Sequence, residues 1–136
     1  MSTLTNKIRA GGFIQSEAPF AQSRDRVTIY GGFTGAAALL AGTVLGKITA
    51  SGKYTISPNT GSDGSQTALA VLFEDVDPTA GDVAAVAVIA RGAEVRAEDL
   101  TYDSSVDDGS KKAAKATQLA SVGILVRSMG GTQVSS

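Results

Sequence analysis

The sequence lacks cysteine, histidine and tryptophan, and its 136 residues include only three prolines, three tyrosines and four phenylalanines. Without cysteine or histidine, the chain cannot form disulfides, thiolate or imidazole zinc sites, Cys nucleophiles or Ser-His triads. The net charge of −1 gives no reason to expect nucleic-acid binding through phosphate neutralisation. No apolar run approaches the ~20 residues of a membrane span, and the N-terminus is polar, so we expect a soluble protein made in the cytoplasm.

The length of the chain fits one domain, which buries roughly two-thirds of the surface of its unfolded chain and needs no disulfide or metal. Sixteen glycines and few aromatic residues favour short strands joined by tight turns. The composition therefore predicts a mainly β fold.

Two apolar runs, at residues 68–73 and 83–90, give the strongest fold signal. Side chains alternate along a strand, so the first run has two faces. Leu69, Val71 and Phe73 form one face, and Ala68, Ala70 and Leu72 form the other. The second run repeats the pattern, and an acidic turn at residues 74–82 joins the two. We interpret the pair as the central strands of a small, two-sided β structure.

Turn signals place further strands around this pair. Residues 43–49 and 53–56 are candidate strands joined by a glycine-containing hairpin turn, and residues 58–65 have the composition of a loop. A short strand or turn is expected at residues 92–96. Residues 123–127 are typical of a final buried strand.

One helix is expected from residue 111 to about residue 119, with Asp107 or Asp108 as its N-terminal cap. Its sheet-facing side is predicted from helical spacing as Ala113, Ala116, Thr117 and Ala120. Three lysines, Lys111, Lys112 and Lys115, are interpreted as a solvated basic face, because no aromatic residues are interleaved with them.

No motif reaches the specificity of an enzyme site. Residues 42–48 look like a phosphate-binding loop but lack its spacing, its Ser or Thr and a following helix, so they are read as a glycine-bearing strand. The acidic turn does not have the spacing of a calcium loop. Four aspartates, Asp99, Asp103, Asp107 and Asp108, are explained by capping and solubility.

The first 33 residues differ from the rest of the chain. They carry four basic and two acidic side chains, and their apolar residues are scattered without a helix or strand period, except near residues 27–30. Terminal segments of this kind are usually mobile until a partner binds them. A poorly ordered tail and a docking arm are both compatible with the pattern.

Five motifs in a fixed order resemble the head decoration proteins of lambda-type tailed phages. They are LAGTVLG at residues 40–46, GKY at 52–54, DGSQTA at 63–68, VLFEDVD at 71–77 and ARGAEV at 90–95. A lysine-rich helix and a closing apolar strand follow. The similarity spans about residues 36–127, and its specificity comes from the order and spacing of the motifs.

The resemblance implies a β-clip fold with a small helix. It also implies a homotrimer on the outer surface of the virion, seated at local three-fold positions of the expanded capsid. There it would bind the major capsid protein and stabilise the shell against the pressure of packaged DNA. In this family the N-terminal arm docks by adding a strand to a sheet of the capsid protein.

These considerations lead to one main prediction. The chain is a non-enzymatic decoration protein with a docking arm at residues 1–33, a small β-clip-like barrel domain at 34–129 and a polar tail at 130–136. No cofactor or metal, no direct nucleic-acid partner and no membrane contact are expected. The candidate capsid-binding residues are Ile8, Arg9, Phe13, Ile14, Phe20, Val27 and Ile29.

Two other readings remain open at this level. The first is a soluble β-barrel module that binds a small molecule or sugar, although the absence of tryptophan counts against sugar stacking. The second is an enzyme, for which the sequence leaves only Ser, Thr, Lys, Tyr, Asp and Glu as functional groups.

Overall fold

The computed structural model describes residues 24–32 and 36–127 in full and the backbone of residues 14–17. These residues form eight strands and one α-helix, with a short 3₁₀ turn at Ala97–Asp99. The strands are β1 Ile14–Glu17, β2 Arg24–Ile29, β3 Val44–Lys47, β4 Tyr54–Ile56, β5 Ala68–Leu72, β6 Val83–Ile89, β7 Ala93–Arg96 and β8 Ile124–Arg127. Helix α1 spans Gly109–Ala120.

Five strands close into a barrel in the order β2-β4-β3-β5-β6. The β3–β4 hairpin is the one expected from the sequence, and the amide of Ile48 donates to the carbonyl of Lys53 at 2.7 Å as the turn begins. Strand β2 completes the ring by pairing with β6 on one side and with β4 on the other. The prediction of a mainly β fold with a small barrel and one helix is confirmed.

Strand β5 has the two buried faces that its alternating pattern predicts. Ala70 and Leu72 point into the barrel core, which also contains Ile29, Leu45, Val76, Val86 and Val88. Val71 belongs to a second core on the outer side of the barrel. Opposite β3, Leu69 is an extra residue in the register, and this bulge places Ala68 in the same core as Val71. The prediction that Ala68 shares a face with Ala70 and Leu72 is therefore wrong.

The second core lies between the barrel, helix α1 and a three-stranded sheet of order β1-β7-β8. Val95 of β7, Leu119 of α1 and Ile124 of β8 are fully buried there against Val44 and Val71 of the barrel. The helix and strands β7 and β8 are therefore packed onto the barrel and belong to the same folded unit.

Helix α1 has one of the two predicted caps, but it begins two residues earlier than predicted, at Gly109, and buries a different face. The Asp108 carboxylate caps it by accepting a hydrogen bond from the amide of Lys111 at 2.9 Å. The buried residues are Lys115 and Leu119, one helical turn apart, whereas Ala113, Thr117 and Ala120 are exposed. The predicted alanine face was wrong because Leu119 offers much more apolar surface than any alanine, and its burial sets the rotation of the helix.

The barrel also begins earlier in the chain than expected. Residues 24–29, assigned to the arm from the sequence, form β2, and Ile29 is 0% exposed in the barrel core. Strand β2 pairs mostly with β6, and this pairing joins residues about sixty positions apart. Local sequence patterns do not reveal pairing across such a separation.

Candidate docking surfaces

The sheet β1-β7-β8 ends in two edge strands. Central strand β7 pairs antiparallel with β1, with Ile14 opposite Val95, and parallel with β8, with Ala93 opposite Ile124. Among the described strands, therefore, none pairs with the outer side of β1 or of β8. An edge strand presents backbone donors and acceptors that another extended chain can use.

The antiparallel register of β1 fixes the position of its two ends. Ile14 lies opposite Val95, and Glu17 lies opposite Ala93. The N-terminal end of β1 therefore lies beside the end of β7 that continues into Ala97–Asp99 and Thr101.

The candidate capsid-binding residues are not all in equivalent positions. Ile8, Arg9, Phe13 and Phe20 lie outside the described residues, as does the tail at 130–136. Ile14 begins β1, while Val27 is half-buried and Ile29 fully buried in β2. A side chain in the barrel core cannot contact a partner while the barrel is closed, so Ile29 is not accessible for docking.

An apolar groove of about 370 Å³ lies on the surface of the barrel. Its lining includes Tyr30, Ala37, Ala38, Leu40, Thr101 and Asp103. Its rim is fixed next to Tyr30, because the amide of Gly31 donates to the Asp82 carboxylate at 2.9 Å. The barrel interior itself is filled by the apolar side chains of the barrel core.

Asp82 also holds the neighbouring hairpin. Its carboxylate forms a 2.5 Å ion pair with Lys53, whose ammonium lies 6.0 Å from the centroid of the Tyr30 ring. The hydrogen bonds from Lys53 and then from Gly31 keep the pKa of Asp82 below its ordinary value. The end of β2, the start of β4 and the loop before β6 are thus tied together beside the groove.

Among the polar residues, Lys115 differs most from its predicted position. It was expected on a solvated face, but only 2% of it is exposed. Its ammonium donates to Ser57 Oγ at 2.9 Å, to the carbonyl of Pro58 at 2.6 Å and to the carbonyl of Gln66 at 2.5 Å. Burial lowers the pKa of Lys115, and the Asp103 carboxylate opposes this effect.

Three oxygen acceptors match the three N–H donors of an ammonium group, which explains how the interior accommodates Lys115. The acceptors belong to the loop between β4 and β5, so helix α1 fixes that loop in place. Gln118 adds a second tie, because its side-chain oxygen accepts from the amide of Ala68 at 2.7 Å. In a sequence, the only sign that a lysine is buried in this way is that its neighbours are aliphatic. Lysines on solvent-exposed helices have the same kind of neighbours, so the sign is not specific.

The motifs that look chemical in the sequence have structural roles. Gly46 is a strand residue of β3, and a Cβ atom there would overlap the carbonyl of Ser65. In the acidic turn, Asp77 Oδ1 accepts from the amide and the hydroxyl of Thr79. The turn is therefore stabilised by its own side chains, as its composition predicts.

The four aspartates considered for acid–base chemistry make separate local contacts. Asp108 caps the helix, Asp107 pairs with Lys111, Asp103 accepts from Ser105 and Asp99 pairs with Arg96. Within residues 14–17, 24–32 and 36–127 there is no group of three or more carboxylates able to hold a metal ion. Helices in the same part of the chain are too short or too polar to cross a membrane.

The described residues define a class of protein: a small β-barrel that carries an open-edged sheet and an external apolar groove. The chain belongs to the family of the bacteriophage lambda head decoration protein D, whose family model matches residues 3–124. Among curated proteins, no match to the chain was found.

Family membership confirms the resemblance inferred from the ordered motifs. The family consists of phage head decoration proteins, which implies a structural role and association with the phage capsid in the virion. The match begins at residue 3, so it includes the segment ahead of β1 as well as the barrel. It continues through helix α1 to the first residue of β8.

Proposed function

We propose that this chain binds the outer surface of the expanded head as a homotrimer at local three-fold positions and stabilises the shell against the pressure of packaged DNA. The proposed partner is the major capsid protein. The observation that supports the proposal is the position of β1, the strand that directly follows residues 1–13, at the edge of an open sheet. A segment in that position can extend to a neighbouring chain without disturbing the barrel.

Residues 1–13 have the composition that strand addition requires. They include the apolar residues Ile8 and Phe13 and the cations Lys7 and Arg9, without any acidic residue. Main-chain hydrogen bonds supply affinity in strand addition, and pockets for alternate side chains supply specificity. Ile8, Arg9 and Phe13 are therefore the proposed main contacts, with Ile14 and Phe20 further along the segment. Val27 and Ile29 stay in the barrel.

The energetics favour a short contact. Ordering a residue costs about 1–2 kcal/mol in backbone entropy, so ordering the whole segment would need extensive contacts. A few residues that pair as a strand and bury one or two apolar side chains can offset their own cost. In a trimer, binding of one segment raises the effective concentration of the other two for their sites.

The test is co-sedimentation with expanded, undecorated heads. The full chain should pellet with the heads in stoichiometric amounts, and a variant lacking residues 1–13 should bind much more weakly while keeping its circular dichroism spectrum. A double variant, Ile8→Ser with Phe13→Ser, should also lose affinity. Its matched control, Thr3→Ser with Thr5→Ser, should bind as the full chain does.

Unchanged binding of the truncated variant would assign the capsid contact to the barrel domain and contradict the docking role of the segment. Image reconstruction of decorated heads tests the placement separately. Density at the local three-fold positions is expected, and density at the hexamer centres would contradict the trimeric arrangement.

A further inference from the structure

The external groove is an apolar recess that the fold leaves open to solvent. Three large apolar side chains are exposed in the described part of the chain: Tyr30 at 36%, Leu125 at 41% and Leu40 at 44%. Tyr30 and Leu40 both line the groove, together with the exposed Ala37 and Ala38. A recess of this kind on a small domain is typical of a contact surface.

The surroundings of the groove are acidic. Asp103 lines it, and Asp75 and Asp77 line a smaller recess of about 260 Å³ that shares residues 38–40 with the groove. The hydrogen bonds from Thr79 lower the pKa of Asp77, so this carboxylate is charged at neutral pH. None of the described residues that line either recess is Lys or Arg.

Two cations that lie close to residues of the groove are already engaged by other groups. Lys53, beside Tyr30, is ion-paired with Asp82. Lys115 is buried and donates three hydrogen bonds to neutral oxygens. The Asp103 carboxylate raises the pKa of Lys115, against the effect of burial. The fitting occupant is therefore an extended segment that is apolar and positively charged.

One segment of this chain has that composition. Residues 1–13 combine Lys7 and Arg9 with Leu4, Ile8 and Phe13 and carry no acidic side chain. The other parts of the chain outside the described residues, 18–23, 33–35 and 128–136, contain no Lys or Arg at all. Charge complementarity thus selects the N-terminal segment over the C-terminal tail.

The fold places the start of β1 on the groove side of the domain. Ile14 lies opposite Val95 near the end of β7, and the chain runs from β7 to Thr101 and Asp103 in the groove wall. Val95 and Thr101 are six residues apart, so they are at most about 20 Å from each other. Thirteen extended residues reach about 40 Å, which is enough to cross the groove.

We propose that, in the absence of a capsid, residues 1–13 dock in the groove of their own domain. Ile8 and its apolar neighbours contact Tyr30 and Leu40, and Lys7 and Arg9 face the carboxylates of Asp75, Asp77 and Asp103. A segment held in the groove is not available to a capsid strand, so self-docking competes with head binding. Docking of residues 1–13 in the groove is inferred from the groove and the charges alone. Only the competition with head binding rests on the proposed function.

The test uses the full chain and paramagnetic broadening in NMR spectra. Because the sequence has no cysteine, Asn6→Cys gives a single attachment point for a nitroxide label. The amide signals of Tyr30, Ala37, Ala38 and Leu40 should be lost, whereas those of β8 should remain. A label placed by Gln133→Cys in the uncharged tail is the matched control and should leave the groove signals intact.

Charge reversal supplies the second arm of the test. The labelled chain that also carries Lys7→Glu and Arg9→Glu should recover the groove signals. Reversal of two exposed lysines elsewhere, Lys47→Glu and Lys112→Glu, should not. Intact groove signals in the labelled chain without any charge reversal would overturn the proposal.

A mixed sample identifies the chain that supplies the segment. Spin-labelled chains without isotope are mixed with isotope-labelled chains without the spin label, and the groove signals should stay intact. Broadening in this mixture would overturn docking within one domain and assign the groove to the segment of a second copy. No heads are present in these measurements, so their failure is distinguishable from a failure of the proposed capsid binding.

Discussion

The closed barrel and the three-stranded sheet differ in whether their outer strands have unpaired edges. All five barrel strands have neighbours on both sides, so the barrel has no edge at which another chain can pair. The sheet has an edge at β1 and another at β8. If the proposed function is correct, attachment depends on the open-edged sheet, whereas stability depends on the closed barrel.

The boundary between the part that stabilises the fold and the proposed docking part does not coincide with the boundary between the barrel and the sheet. Val95 of β7 and Ile124 of β8 are buried in the second core with Leu119 and with barrel residues, so these strands support the fold. Strand β1 is joined to the sheet through its pairing with β7. The boundary between stable domain and docking segment is therefore expected between β1 and β2.

Truncation at two positions tests this boundary and should give the largest effect. A variant lacking residues 1–30 loses β2, and with it Ile29 and the closure of the barrel between β6 and β4. It should fail to unfold cooperatively when heated. A variant lacking residues 1–13 retains every described element and should melt close to the full chain. Cooperative melting of the variant that lacks residues 1–30 would show that the barrel core is complete without β2.

Two substitutions compare the buried Lys115, which fixes the loop between β4 and β5, with the solvated Lys112 on the same helix. Lys115→Met keeps the side-chain stem but leaves the carbonyls of Pro58 and Gln66 without their donor. The free energy of unfolding should fall by about 2–3 kcal/mol, because removal of the buried charge only partly offsets unsatisfied acceptors. Lys112→Met removes a cation 5.5 Å from the Tyr102 ring centroid and should cost no more than about 1 kcal/mol. Equal losses in chemical denaturation would contradict a special role for Lys115.

Relief of backbone strain in β6 should give the smallest effect, with the opposite sign. Ala84 and Ala85 face the single residue Thr28 of β2, and Ala85 adopts a φ of +59° in this bulge. The left-handed conformation costs a residue with a Cβ roughly 1–2 kcal/mol, so Ala85→Gly should stabilise the chain by about 0.5–1 kcal/mol. Ala84→Gly is the matched control and should destabilise by a similar amount. A loss of stability in Ala85→Gly would mean that the bulge is not strained.

The features predicted correctly from the sequence are those with local causes. The β3–β4 hairpin follows from its turn residues, the two faces of β5 from alternation, and the N-terminal cap of α1 from Asp108. The acidic turn follows from the bond that Asp77 makes two residues ahead. Each of these depends on neighbours within a few positions, where propensity and periodicity carry the information.

The features missed depend on distant partners. Strand β2 was assigned to the arm because its pairing with β6 is invisible in a local pattern. Lys115 was placed in solvent because its acceptors lie about fifty residues earlier, at Ser57, Pro58 and Gln66. The groove combines Tyr30, Leu40 and Thr101 from three separate parts of the chain. A candidate surface of this kind becomes visible only once the fold is known.

Native-state hydrogen exchange tests most directly the claim that the domain divides between β1 and β2. The account predicts that the amides of residues 14–17 exchange through local opening, at a much lower free energy than global unfolding. The paired amides of β2 should exchange only when the whole barrel unfolds, together with those of β3 and β5. Protection of β1 equal to that of β2, or opening of β2 together with β1, would contradict the account.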